Sequence, residues 1–389
     1  MNQPEDPISA ATHADPYPYY AKLVTSRPIH RDDTLGLWVA ASAEAVTAVL
    51  KSDLVRVRPA AERVPRALLG SAAGEIFGQL VRMIDGPAHT RMKPGVSAKL
   101  MSLDPAQVAR QAGGWAQRLA DELEPAAHAE RLTDFAFRLP VYAIASLLGV
   151  AVANLAQTAS WMGDFVRCLT PASTPEQIEQ GKVAAEHLAQ QFRALLGREQ
   201  VDASVANTIG YLSQAYEATA GLIGNTLVVL GRERDASGQA ATDATFLHAV
   251  VREVVRYDPP VQNTRRFVAG TGVVAGQAMK DGDAVLVVLA AANRDPAVNA
   301  QPERFDPLRR ERQAFTFGLG AHACPGEVMA TTIAAAGVQR LLAAGVRPEA
   351  LVEHVRYRPS ANTRVPLFEW GAPTWPPTPP NARSAPAEP

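Results

Sequence analysis

Apolar residues recur at three- and four-residue spacing in six stretches: 44–51, 105–123, 178–196, 205–230, 244–257 and 327–344. That period predicts helices with a buried face, and the abundant alanine in these stretches favours helix further. Shorter runs rich in β-branched and apolar residues, 37–40, 266–274, 284–289 and 365–370, predict strands. Helical stretches outnumber strands, no internal repeat is visible, and helix and strand do not alternate in βαβ fashion. The expected fold is therefore mainly α with small β-sheets, in a single domain.

Two stretches depart from this picture. Residues 139–163 (LPVYAIASLLGVAVANLAQTASWMG) carry no charge over roughly the length of a membrane span. Pro140, Asn154, Gln157, Thr158 and Ser160 interrupt the run, so it reads as a buried helix, a turn and a second helix. From residue 373 the chain is PTWPPTPPNARSAPAEP, too rich in proline to pack. The expected division is a folded domain over 1–372 and a Pro-rich disordered tail over 373–389.

Composition narrows the function. Of 389 residues 47% are hydrophobic and 20% charged, with a net charge of −1. This balance gives no electrostatic reason to expect nucleic acid or an anionic membrane as partner. Cys168 and Cys324 are the two cysteines, too few for a disulfide framework or a four-thiolate metal site. The N-terminus is acidic and proline-rich and reads as neither signal peptide nor anchor. A reducing, cytoplasmic setting is expected.

Cys324 lies in the stretch FTFGLGAHACPGE, residues 315–327, just ahead of a helical run. Pro325 is expected near the first helical position and Glu327 in the first turn, both suited to a helix start. Backbone N–H groups at such an end favour a thiolate. Gly318, Gly320 and Gly326 permit close backbone approach to a flat ligand. A single cysteine thiolate presented this way is how haem iron is ligated through sulfur. The competing reading is a buried structural cysteine.

The spacing Phe317-Gly318-x-Gly320-x-His322-x-Cys324-x-Gly326 resembles the haem-binding signature of the cytochrome P450 family. Other segments resemble the family in the same order: Asp85-Gly86-Pro87-Ala88-His89-Thr90-Arg91, Glu253-Val254-Val255-Arg256 with Tyr257-Asp258-Pro259-Pro260 after it, Arg265-Arg266, Ala292 to Pro296, and Pro302 to Asp306. The resemblance runs from about residue 15 to residue 370. It implies a haem-thiolate monooxygenase that binds haem b (protoporphyrin IX iron) with Cys324 as axial metal ligand. His89, Lys93, Arg266 and His322 would face the propionates, while Phe317, Gly318 and Gly326 shape the loop. Glu253 and Arg256 would form a structural ion pair. The reaction would use O2, two protons and two electrons on a small organic substrate of biosynthetic or secondary-metabolite type. Ferredoxin and ferredoxin reductase would be the electron donors.

Three departures from the family pattern stand out. Lys93 occupies the usual arginine position, keeping the charge without the planar two-pronged contact. Pro94 follows it and should kink or end that helix. In the long helix that would pass over the haem, anchoring on Leu222-Ile223-Gly224-Asn225 aligns the family's acid with Glu217, its threonine with Ala218 and its glycine with Ala215.

Glu217 is therefore the expected proton-delivery carboxylate. Ala218 cannot donate a hydrogen bond, so another group must assist O–O cleavage. An ordered water, Thr219 after a local bulge, Tyr216 or a hydroxyl of the substrate are the candidates, the last preferred. Family analogy places substrate-pocket walls at 62–82, at 161–168, and at Ala215, Ala218, Gln262, Asn263, Thr264, Leu367 and Phe368. Ala218 and the proline after the cysteine also leave room for a peroxide-dependent or rearranging haem-thiolate enzyme. A non-catalytic haem ligand-binding protein is a further reading.

Overall fold

The computed structural model describes residues 3–170 and 172–368. Fourteen α-helices occur among them. In chain order they are α1 Tyr17–Ser26, α2 Ala43–Lys51, α3 Ala72–Gln79, α4 Gly86–Met101, α5 Pro105–Leu123, α6 Leu132–Leu147 and α7 Leu155–Cys168. Then follow α8 Pro175–Leu196, α9 Ala203–Arg232, α10 Arg234–Thr242, α11 Ala244–Tyr257, α12 Leu289–Asn293, α13 Glu327–Ala343 and α14 Pro348–Leu351. The strands are β1 Ile29–Asp32, β2 Leu37–Ala40, β3 Val55–Arg56, β4 Thr264–Val268, β5 Gly272–Val274, β6 Gln277–Met279, β7 Ala284–Val287, β8 Val355–Tyr357 and β9 Pro366–Phe368.

The helices form where side chains at their starts satisfy the free N–H groups. Thr174 and Gln177 make a reciprocal capping box on α8. Asp202 accepts from the Val205 N–H to start α9, and Asp243 accepts from Thr245 and Phe246 to start α11. The core is a layer of α5, α6, α9, α11 and α13 whose apolar faces interdigitate, with α7 and α8 packed beside it. β1, β2, β7, β4 and β3 form one sheet in that order. β2 pairs with β7 in parallel, and the other neighbours are antiparallel.

Several expectations needed adjusting. The stretch 266–274 divides into β4 and β5, because Ala269 to Thr271 turns the chain at Gly270, whose φ is 96°. Residues 284–289 leave the sheet after Val287 and enter the short helix α12. Pro94 does not end α4, which continues through it to Met101. The missing proline N–H leaves the Thr90 carbonyl without its helical donor. Residues 139–163 resolve into the end of α6, a turn and the start of α7, and no helix among the described residues is long and apolar enough to cross a membrane. The end of the strand expected over 365–370 and the Pro-rich segment 373–389 lie outside the described residues.

The central helix α9 meets other segments closely at three glycines. A Cβ on Gly221 would stand 2.8 Å from the Arg364 carbonyl, one on Gly224 2.5 Å from Pro366, and one on Gly231 2.3 Å from the Pro348 carbonyl. Asn225 donates to the Asp258 and Arg364 carbonyls at 2.9 and 3.2 Å. The Leu222-Ile223-Gly224-Asn225 motif thus clamps the chain on either side of 260 and 364 against α9.

Candidate functional site

The loop before α13 is held from below by buried polar side chains. Asn293 accepts from the Phe315 N–H at 2.6 Å and donates to Thr316 Oγ1 at 2.8 Å. Asn299 brackets Gln313, accepting from its N–H at 3.0 Å and donating to its carbonyl at 2.8 Å. Deeper still, Glu253 and Arg256 are wholly buried and paired at 2.6 Å. Arg312 and Arg309 reach the same carboxylate at 2.8 and 3.3 Å, and Arg256 donates to the Pro302 and Arg304 carbonyls. The pair expected at these positions is therefore the centre of a network that staples 302–312 beneath the cysteine loop. Arg309 and Arg312 carry no spacing signal and were not legible in advance.

Above this base the loop folds on itself. Gly318 donates to the Phe315 carbonyl and Cys324 N–H to the Phe317 carbonyl, both at 2.7 Å. Gly318 and Gly320 adopt φ of 70° and 68°, the left-handed region that favours glycine. Cys324 ends exposed, whereas Cys168 is buried with its thiol donating to the Phe165 carbonyl. α13 starts at Glu327, with Gly326 in the cap position, so Pro325 precedes the helix rather than opening it. The Gly326 N–H points at the Cys324 sulfur at 3.4 Å. Burial on the protein side nevertheless pushes the Cys324 thiol above its ordinary pKa, against the Gly326 N–H and the charge of Lys93. Sulfur is thus open on one face and enclosed on the others.

Basic side chains gather beside it. His89 and His322 lie with ring centroids 4.2 Å apart. His322 Nε2 sits 3.0 Å from Asp85 Oδ1, which fixes the loop to the entry of α4. Lys93 donates to the Ala323 carbonyl at 2.8 Å. Arg266 is buried and feels the charge of Asp85. His89 is 5% exposed and its Nε2 has no partner. Burial, then the neighbouring His322 and Lys93, hold its pKa below the ordinary value. An orphaned buried ring nitrogen among cations is a site prepared for an anion.

On α9, Ala215 and Ala218 are partly accessible. Glu217 is ion-paired with Arg358 and accepts from Thr363 Oγ1 at 3.3 Å. Thr219 is wholly buried and its hydroxyl has no partner. Tyr216 packs against Phe137, and burial pushes its phenol up to about 12. Of the expected pocket residues, Gln262 and Asn263 are buried and spend their amides on the Pro259 and Ala361 carbonyls. Thr264 is partly accessible, and Leu367 and Phe368 are buried in β9.

The structure thus brings an exposed sulfur, the charge of Lys93 and the partnerless His89 Nε2 to one end of α4 and the cysteine loop. Comparison with known proteins agrees. The family model for Cytochrome P450 matches residues 152–344. The chain belongs to the cytochrome P450 family.

Among curated relatives of this P450, the Biotin biosynthesis cytochrome P450 of Bacillus subtilis is 24% identical over 84% of this chain and 88% of its own. The cytochrome P450 monooxygenase PikC of Streptomyces venezuelae is 28% identical over 85% of this chain and 83% of its own. Among solved structures, P450BioI in complex with an acyl carrier protein ligated by hexadec-9Z-enoic acid superposes with a TM-score of 0.76. It is 22% identical, covering 90% of this chain and 96% of that one, so it speaks for the fold. The P450 described here is a haem-dependent monooxygenase of that family.

Proposed function

We propose that this P450 holds haem through Cys324 and inserts one oxygen atom from O2 into a small organic molecule. The observation that carries the reading is the exposed Cys324 sulfur beside the partnerless His89 Nε2. One group would satisfy both: a porphyrin iron at the sulfur and a propionate at the imidazole. Haem, when bound, supplies the iron at which O2 is activated and electrons are accepted.

The protein's own residues do the rest. Arg266, Lys93, His89 and His322 hold the propionates. Lys93 is tethered to the Ala323 carbonyl, so as a point charge it also buttresses the cysteine loop. Gly326 directs its N–H to the sulfur, which tempers the charge there. Ala215 and Ala218 keep the distal face of α9 shallow for substrate. Glu217 is the carboxylate that moves protons, leaving Arg358 to do so. Ala218 offers no hydroxyl, and a hydroxyl of the bound substrate, or a water it orders, donates in its place. Electrons come from a ferredoxin and its reductase. The name of one relative, the Biotin biosynthesis cytochrome P450, supports a substrate of that kind.

The test is spectroscopic. The reduced, purified protein with haem should give a strongly red-shifted Soret band under carbon monoxide, and Cys324→Ala should abolish it while His89→Gln only weakens haem retention. A folded, haem-loaded wild type without that band overturns the reading. Turnover supported by hydrogen peroxide but not by reduced ferredoxin would favour the peroxide-dependent alternative.

A further inference from the structure

Arg82 closes the 62–82 segment expected to line the pocket, and no contact described above uses its guanidinium. It belongs to a 3-10 turn, Val81–Met83, between α3 and α4. The turn is pinned to α9: the Val81 N–H donates to Asn207 Oδ1 at 2.8 Å, and Leu80 packs so closely that a Cβ on Gly210 would stand 2.8 Å from it. Asn207, Gly210, Gln214 and Ala218 follow one another at three- and four-residue steps, one stripe along the helix. Gln214, midway along that helix, is exposed, and Ala215 to Ala218 are partly so. The accessible positions of this stripe, Gln214 and Ala218, therefore lie one to two turns along α9 from the residues that hold the turn carrying Arg82.

The environment of this guanidinium is unusual. Its Nε is buried without a partner, and no hydrogen bond or ion pair holds the side chain among the described residues. Burial alone lowers its pKa, with no charged neighbour acting on it, yet part of the residue remains accessible. The Nε is thus shut off from solvent while the rest of the side chain can still be reached. The basic side chains around the cysteine loop differ: Arg266 and His89 feel Asp85, and Lys93 feels Cys324. Arg82 is electrically separate from them. An unpaired guanidinium in such a place is costly unless an anion arrives.

We infer that Arg82 is a carboxylate-binding residue of the substrate pocket, so that this enzyme's substrate carries a carboxylate that pairs with it. The inference rests on the haem-thiolate reading given above. Arginine's planar fork suits a two-pronged contact with a carboxylate, and anchoring one end of the substrate there would leave its far end over the small face at Ala218. A haem propionate is the other source of the same chemistry, and the experiment separates the two.

Ferric holoenzyme that passes the carbon monoxide test is titrated with a series of ω-(imidazol-1-yl)alkanoic acids of increasing chain length. The uncharged 1-alkylimidazoles of matching length serve as controls, with binding read from the Soret shift that imidazole ligation produces. At one or more lengths the acid should bind wild type about tenfold or more tightly than its uncharged partner, the size of a charged hydrogen-bonded contact. Arg82→Gln should erase that preference with little change in alkylimidazole binding, and Arg82→Lys should keep part of it. A wild type with no preference at any length overturns the proposal, whatever the variants do. So does a preference that survives Arg82→Gln. Haem transfer to apomyoglobin is measured alongside. If Arg82→Gln accelerates haem loss while the wild type shows no acid preference, Arg82 serves a propionate and the substrate assignment falls.

Discussion

Glu217 and Arg358, 141 residues apart in the chain, form an ion pair beside the accessible face of α9. The carboxylate nominated for proton delivery is therefore tethered, and it must exchange Arg358 for water or another hydroxyl to act. Glu217→Gln should lower product formation by about 10²-fold and raise the solvent isotope effect, with haem binding intact. Turnover that stays at the wild-type level would reduce Glu217 to an anchor for the 358–363 segment.

Ala218 stands beside that pair where a threonine hydroxyl is absent, and the Thr219 hydroxyl is buried without a partner. If the substrate donates the missing hydrogen bond, Ala218→Thr should relax substrate choice and change the fraction of electrons that end in product. Coupling is measured as product formed per reduced nicotinamide cofactor consumed through a surrogate ferredoxin chain. A variant identical to wild type in both respects removes substrate assistance.

Glu253 is wholly buried among Arg256, Arg309 and Arg312. Glu253→Gln leaves those guanidinium groups without their counter-charge, and breaking a buried pair costs about 3–5 kcal/mol. Because the network supports the cysteine loop, the variant should unfold at lower denaturant and incorporate less haem. Arg309→Gln, at the rim, should cost far less. Equal losses for both would mean that the network does not act through its buried centre.

Asp283 supplies the pH dependence. Burial raises its pKa, but the Lys280 N–H, the Trp38 indole N–H and Arg31 outweigh that and hold it below the ordinary carboxylate value. The folded protein therefore binds this proton less readily than the unfolded chain. Its contribution is complete above the ordinary value of about 3.9 and is lost as pH falls through the lower folded value. Asp283→Asn should destabilise the protein at neutral pH, and the deficit should shrink below about pH 4. Chemical denaturation of both proteins across that range checks it. A deficit independent of pH would show that the charge is not what matters.

How much was legible beforehand varies by element. The bounds of α5, α11 and β2 follow from periodicity, because each has one face committed to the core. The loop at 315–327 is legible for a different reason. Three glycines, a histidine and a cysteine at fixed spacing meet a geometric demand that few sequences satisfy. The Glu253–Arg256 pair is legible as a helical i, i+3 relation, but its further arginines are not, since 302–312 has no regular period to place them. Pro94 shows the limit of a local rule: tertiary packing carries α4 through a proline that propensity alone would make its end.

By itself the sequence determined the mainly helical class, the cysteine turn and the family, since these depend on local period and spacing. Only the tertiary structure decided which distant groups face one another. It tied Glu217 to Arg358, left the His89 Nε2 without a partner and buried the Arg82 Nε with none. Such pairings arise from how helices and loops pack, and the energy of a charge depends on what that packing brings within a few ångströms of it.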